Sequence, residues 1–240
     1  MTLLRTGLIA AFALLASCSS APDAITRAQA AEPGAGPIVV ELFQSQGCSS
    51  CPPANANVNA LAAARPDVLA LSYAVTYWDY LGWKDTFAQP AFTERQRAYQ
   101  RSGQSDGVYT PQVVINGRKA LVGADRGQLN QAVASVGGLR GGPSISRDPA
   151  GFTVGEGQGG PATVLVVTYD PRERAVPVKA GENGGRTLPH RNIVIGLREA
   201  GVWNGKPLHI ATAAPKDPAL RTAVLLQKGA GGPLLAAAQL

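Results

Sequence analysis

Pro37-Ile38-Val39-Val40-Glu41-Leu42-Phe43 leads into Gln44-Ser45-Gln46-Gly47-Cys48-Ser49-Ser50-Cys51-Pro52-Pro53, then Ala54–Ala64 (ANANVNALAAA), and this run decides the fold. Its first part is apolar and β-branched, which predicts a buried strand. Its last part is Ala-rich with Val58, Leu61 and Ala62 on one face. That predicts a helix, ended by Arg65-Pro66-Asp67. Val68–Ala74 (VLALSYA) predicts a second strand. The C-x-x-C pair therefore sits where strand turns into helix inside a βαβ pattern, the context of a redox motif.

The chemistry is local. A cysteine at a helix start meets unpaired backbone N–H groups and the positive end of the dipole, so its thiolate is favoured. A second cysteine three residues on lies on the same side and can form or resolve a disulfide. Pro52 and Pro53 are tolerated only in a first helical turn. They predict a regular helix starting near Pro52, with Cys48 in the preceding turn. Dipole support then reaches Cys51 at least as well as Cys48, and the sequence does not rank the two. A structural disulfide is the alternative reading. A zinc half-site lacks a second C-x-x-C or nearby His to complete it.

Further along, Val108-Tyr109-Thr110-Pro111-Gln112-Val113-Val114-Ile115-Asn116-Gly117-Arg118-Lys119-Ala120-Leu121-Val122 carries Asn-Gly between apolar runs, a type I′ hairpin signal. Pro111 stands just before the strand, where a missing N–H does least harm. Gly123-Ala124 and an amphipathic helix to about Val136 follow. This order, β-C-x-x-C-α-β, then Thr-Pro, a hairpin and a closing helix, resembles the thioredoxin fold. The resemblance implies that Pro111 is cis and faces a Cys48–Cys51 disulfide, and that Thr110 offers backbone hydrogen bonds to an incoming peptide.

Three motifs are more specific: Glu41–Ala54, Tyr77-Trp78-Asp79-Tyr80-Leu81-Gly82-Trp83-Lys84-Asp85, and Tyr109-Thr110-Pro111-Gln112. Together they resemble a bacterial thioredoxin-like family designated domain of unknown function 1223, with similarity running through Gly181-Glu182-Asn183. The chain departs from that pattern at Asn55, where Asp is usual, and at Ala74 and Thr76, where His and Asp are common.

Nine of the fourteen aromatic residues fall between Tyr73 and Tyr109. This insertion reads as a satellite core, as a wall or lid selecting an apolar or peptide substrate, or as both, with Tyr77, Trp78, Asp79 and Trp83 as candidate wall residues. Asp79 is also a candidate proton acceptor for the resolving thiol. Pro90–Arg101 (PAFTERQRAYQR) predicts an amphipathic helix with Phe92 and Tyr99 inward.

Beyond Gly137–Pro143, short strand candidates cover 144–147, 151–154, 162–169, 175–178, 193–197, 208–213, 221–227 and 234–239. They suggest a small β-sandwich or an open sheet layer. Gly181–Arg186 (GENGGR) reads as a plain turn, with an anion nest as the alternative. His190 and His209 read as ordinary surface or core residues. The expected organisation is a signal peptide (1–17), a lipidated N-terminus and flexible tether (18–36), an α/β thioredoxin-like domain with the aromatic insertion (37–139), and a β-rich sandwich-like domain (140–240).

The N-terminal reading rests on Arg5, the apolar stretch Leu8–Ala16, and Leu15-Ala16-Ser17-Cys18. The stretch is too short to span a bilayer and fits a signal-peptide core. Its end resembles a lipobox, which implies lipidation of Cys18 and a lasting membrane anchor. Cleavage after Ala28-Gln29-Ala30 is the alternative. Either reading puts the chain outside the cytoplasm. With Ser19 and Ser20 following, the lipobox resemblance favours the periplasm, anchored to the outer membrane.

The formal charge is +6 over 240 residues, without a basic run or interleaved aromatics. That argues against a nucleic-acid partner. The leading expectation is an extracytoplasmic thiol–disulfide oxidoreductase using Cys48 and Cys51. Thr110 and Pro111 position substrate, no metal or soluble cofactor is needed beyond the redox-active disulfide, and the partners are protein or peptide thiols and disulfides plus a redox partner. The alternatives are a non-catalytic binding module with a structural disulfide, and a copper carrier using two thiolates.

Overall fold

Ile38–Gln44 (β1) is buried along its whole length, because a sheet strand covered on both faces needs apolar residues at every position. β1 pairs in parallel with Val68–Ala74 (β2) and antiparallel with Gln112–Ile115 (β3). Lys119–Leu121 (β4) closes that edge. The structure is a computed structural model and describes residue 2 and residues 36–240. The expected signal peptide beyond residue 2, the lipidated Cys18 and nearly all of the tether lie outside the described residues.

Period-two alternation sorts the side chains of β1 between two cores. Ile38, Val40 and Leu42 face one core, with Ala54, Val58 and Leu61 from Cys51–Ala64 (α1) and Leu129, Ala132 and Val133 from Arg126–Val136 (α3). Val39 and Phe43 face the other, under Phe92 and Tyr99 of Pro90–Arg101 (α2). Asp125 caps α3, accepting the Gln128 N–H at 2.8 Å. Asn116 and Gly117 both take positive φ, as a type I′ turn requires. The ladder resumes at Lys119 rather than Arg118, one residue later than a two-residue loop would give.

The second half departs from the expected separate domain. Ala162–Asp170 (β7), Ile193–Trp203 (β10), Arg221–Gln227 (β12) and Leu234–Gln239 (β13) extend the first sheet into eight strands, ordered β13-β12-β7-β10-β2-β1-β3-β4. The joint is short: Ile193 registers with Ser72, and the Ser72 N–H donates to Asn192 O at 2.8 Å. A sandwich-like layering is present. Ile145–Asp148 (β5), Gly151–Val154 (β6) and Leu208–Ala211 (β11) form a three-stranded sheet packed on the extension through Phe152, Val164, Val166, Trp203 and Leu226. One of its two layers, however, is the continuation of the sheet that holds β1.

Two features tie the halves together. Arg95 of α2 makes two hydrogen bonds to Glu41 of β1, at 2.6 and 2.9 Å, and one to Gln227 of β12 at 3.0 Å. Tyr99 donates to the same carboxylate. The second tie is the hairpin of Arg174–Pro177 (β8) and Thr187–His190 (β9), whose connecting loop reaches the cysteines. Among the described residues, no helix is long and apolar enough to cross a membrane.

Candidate functional site

The site is built on the turn between β1 and α1. Cys48 N–H donates to Ser45 O and Cys51 N–H to Cys48 O, both at 3.2 Å, so a tight turn carries the chain into the helix. α1 starts at Cys51 and accommodates Pro52 and Pro53 in its first turn. Cys48 stands in the turn before it. Both cysteines are free thiols here, so the expected disulfide is not formed.

The two thiols differ sharply. A hydrogen bond from the Cys51 thiol, with the Ser50 and Thr110 side chains adding to it, outweighs burial and lowers Cys48 to a pKa of about 6. Burial, together with the adjacent Cys48 sulfur, pushes Cys51 far above the ordinary thiol range. Cys51 opens the helix, yet burial is the largest influence on its thiol. The pair is therefore poised as thiolate and thiol. Neither sulfur is openly presented, with Cys48 at 0 % and Cys51 at 1 % exposure, while Ser49 and Ser50 between them are exposed.

Thr110 comes to the thiols, with Pro111 next to it in the chain. The Thr110–Pro111 bond is cis, and Thr110 O lies 3.8 Å from Cys48 Sγ and 3.4 Å from Ser50 Oγ. The aromatic insertion supplies the next layer. Trp78 Nε1 donates to Thr110 Oγ1 at 2.7 Å, and Tyr77 OH donates to Gln96 Oε1 at 3.1 Å. Burial raises the Tyr77 phenol to about 12, with the two sulfurs adding to the shift, so the phenol stays protonated near them. Trp83 sits one step away, donating to Gln46 Oε1 at 2.8 Å.

Asp79 is not brought onto the thiols. Its Oδ1 accepts the Asp85 N–H at 3.2 Å. The carboxylate under the cysteine turn is Asp85, which accepts from Gln46 N–H at 2.7 Å and Phe87 N–H at 2.9 Å. Burial raises Asp85 to about 6.

The loop between β8 and β9 adds residues that the sequence reads as a plain turn or an anion nest, not as partners of the cysteines. Asn183, wholly buried, donates through Nδ2 to Gln46 O at 2.9 Å and Cys48 O at 2.8 Å. Glu182 Oε2 accepts the Ser49 N–H at 2.8 Å. Gly181-Glu182-Asn183 is thus a clamp on the cysteine turn rather than a free turn. An Asn inside a Gly-rich turn was the available signal, and it is indistinguishable from ordinary turn chemistry. Among the described residues, no group of three or more His, Cys, Asp and Glu side chains is placed to hold a metal.

The fold and site define a mixed α/β protein with a buried cysteine pair at a strand-to-helix turn, flanked by the Thr110 carbonyl and a clamp from the second half. The chain belongs to the family of proteins of unknown function DUF1223, whose pattern matches residues 39–227. Among solved structures it is similar to an Agrobacterium tumefaciens protein at 33% identity, with 86% of this chain and 94% of that chain covered and a TM-score of 0.67. It is also similar to HBP35 of Porphyromonas gingivalis at 12% identity, covering 86% of this chain and 75% of that one at a TM-score of 0.58. No curated protein matches the chain.

Proposed function

We propose that the protein is a thiol–disulfide oxidoreductase whose first half is a thioredoxin-like unit. The observation that carries the reading is the asymmetry of the pair: a Cys48 sulfur favoured as thiolate beside a Cys51 thiol that keeps its proton, with the Thr110 carbonyl 3.8 Å from Cys48 Sγ. The Cys48 thiolate attacks one sulfur of a substrate disulfide. That S–S bond breaks, a mixed disulfide forms, and one substrate thiolate leaves and takes up a proton. Cys51 then gives its proton to solvent and attacks Cys48 Sγ, releasing the second substrate thiolate. Two electrons have passed to the substrate, and the protein holds a Cys48–Cys51 disulfide. A dithiol partner returns the electrons, and the same steps in reverse oxidise a dithiol.

The Thr110 carbonyl beside Cys48 supports docking of an extended peptide. Trp78 fixes the Thr110 side chain, and Ser49 and Ser50 form the open approach. The sequence preceding Cys18 supports a location outside the cytoplasm, held to the periplasmic side of a membrane by lipid on Cys18.

A binding module is the second reading, favoured by the full burial of Cys48. A redox titration against glutathione and dithiothreitol separates the two. A midpoint between about −270 and −120 mV, with a mixed disulfide trapped by Cys51→Ser, is expected for exchange. A midpoint below about −300 mV without a trapped species would establish the binding module.

A further inference from the structure

The clamp ends at the thiol site as a fixed carboxylate. Gly181 turns the chain at φ +75, and Asn183 anchors the loop to two carbonyls of the cysteine turn. Between them Glu182 holds its Oε2 on the N–H of Ser49, the residue following Cys48. The carboxylate is exposed, and hydrogen bonding from Ser49 keeps it ionised to lower pH than usual. Arg186, a cation of the same loop, has its Nη1 engaged on Asn183 Oδ1 at 2.5 Å, bracing the anchor. Ser49 and Ser50 are the exposed residues between the two cysteines, and the Glu182 carboxylate lies on the first of them.

We infer that Glu182 sets the charge preference of the thiol site, so that disulfides carrying positive charge beside the scissile bond react in preference to anionic ones. The inference rests on the exchange reading above and names its substrate class: cationic disulfides, including disulfides flanked by Lys or Arg in a peptide. A unit charge about 7 Å from another in water changes a rate by about threefold. Reversing the substrate's charge should then change it by about tenfold, and salt should screen the effect.

The test uses the full chain, reduced, in single turnovers at pH 7 with three small disulfides: cystamine, 2-hydroxyethyl disulfide and 3,3′-dithiodipropionate. Each rate is compared between the parent and Glu182→Gln, so differences in leaving group cancel. Relative to the neutral disulfide, Glu182→Gln should slow cystamine about threefold and speed the dianion about threefold. Glu182→Asp should keep the parent pattern, and 1 M salt should flatten it. A common factor for all three substrates would mean that Glu182 acts only on thiol acidity or loop shape, and would overturn the inference alone, as would no change for any. No reaction of the parent with the neutral disulfide would overturn the exchange reading as well.

Discussion

Asn183 reaches across 135 residues of chain to donate its Nδ2 to the backbone oxygen of Cys48, at 2.8 Å. The same nitrogen satisfies Gln46 O at 2.9 Å, so one buried amide holds the cysteine turn at two of its carbonyls. Asn183→Ala leaves the buried Gln46 O without a donor and takes one of two donors from Cys48 O. It should cost about 1–3 kcal/mol in urea unfolding. Alkylation of Cys48 should also need a higher pH, because the turn no longer holds the sulfur against its donors. Lost stability with an unchanged alkylation profile would limit Asn183 to a structural role.

Cys48 should react with iodoacetamide with a midpoint near pH 6, and Cys51 should stay unmodified at pH 9. Ser50→Ala removes a donor to the thiolate and so moves the midpoint upward. A hydrogen bond to a charged group is worth about 1.5–3 kcal/mol, which corresponds to one pH unit or more. Peptide mapping after alkylation at graded pH reads both thiols at once.

Arg95 and Glu41 form an ion pair with almost no access to water. Arg95→Met alone strands a buried carboxylate and should cost about 3–5 kcal/mol. The double variant Arg95→Met with Glu41→Leu should recover most of that loss, since apolar replacement of a whole buried pair is often neutral. Chemical denaturation of the four members of the cycle gives the answer.

His190 is 1 % exposed, neither ring nitrogen has a hydrogen-bond partner, and its ring meets Phe87 edge-on at 5.8 Å. Burial lowers its pKa to about 4. The unfolded chain takes a proton from about pH 6.5 downward while the fold refuses it, so stability falls between about pH 6.5 and 4, by at most about 3 kcal/mol. Asp85 works the other way. Its raised pKa of about 6 means that the fold protonates first, which adds stability as pH falls below 6. The difference between the parent and His190→Phe isolates the histidine. It should be flat above pH 7 and move in favour of the variant from pH 6.5 to 4.

The elements nearest the cysteines were legible because their signals are local. The buried run of β1, the apolar face of α1 and the Asn116-Gly117 turn each declare themselves within a few residues. Pro90 opens α2 and its apolar residues face inward, as the pattern predicts. Two things were not legible. β9 is four residues long, contains Pro189 and pairs only with β8, so nothing in Thr187-Leu188-Pro189-His190 marks a strand. The union of the sheets hangs on the meeting of Ile193 and Ser72, and pairing between distant strands leaves no trace in either stretch. The site was missed where it depends on that union: Asn183 and Glu182 act on Cys48 and Ser49 only because the second half is fastened to β2. Asp85 was passed over for Asp79 because two carboxylates in one aromatic loop look alike until the backbone shows which one lies under the cysteine turn.

The distance along the chain between the cysteine turn and its clamp has a consequence for biogenesis. A chain made from its N-terminus presents Cys48 and Cys51 long before Asn183 exists, so a nascent chain carries the thiols without the group that aims them. Any oxidant met in that interval acts on an unfinished turn. The clamp on the Cys48 carbonyl closes only once the hairpin of β8 and β9 has been made, so the cysteine turn is completed by chain that follows it by more than a hundred residues.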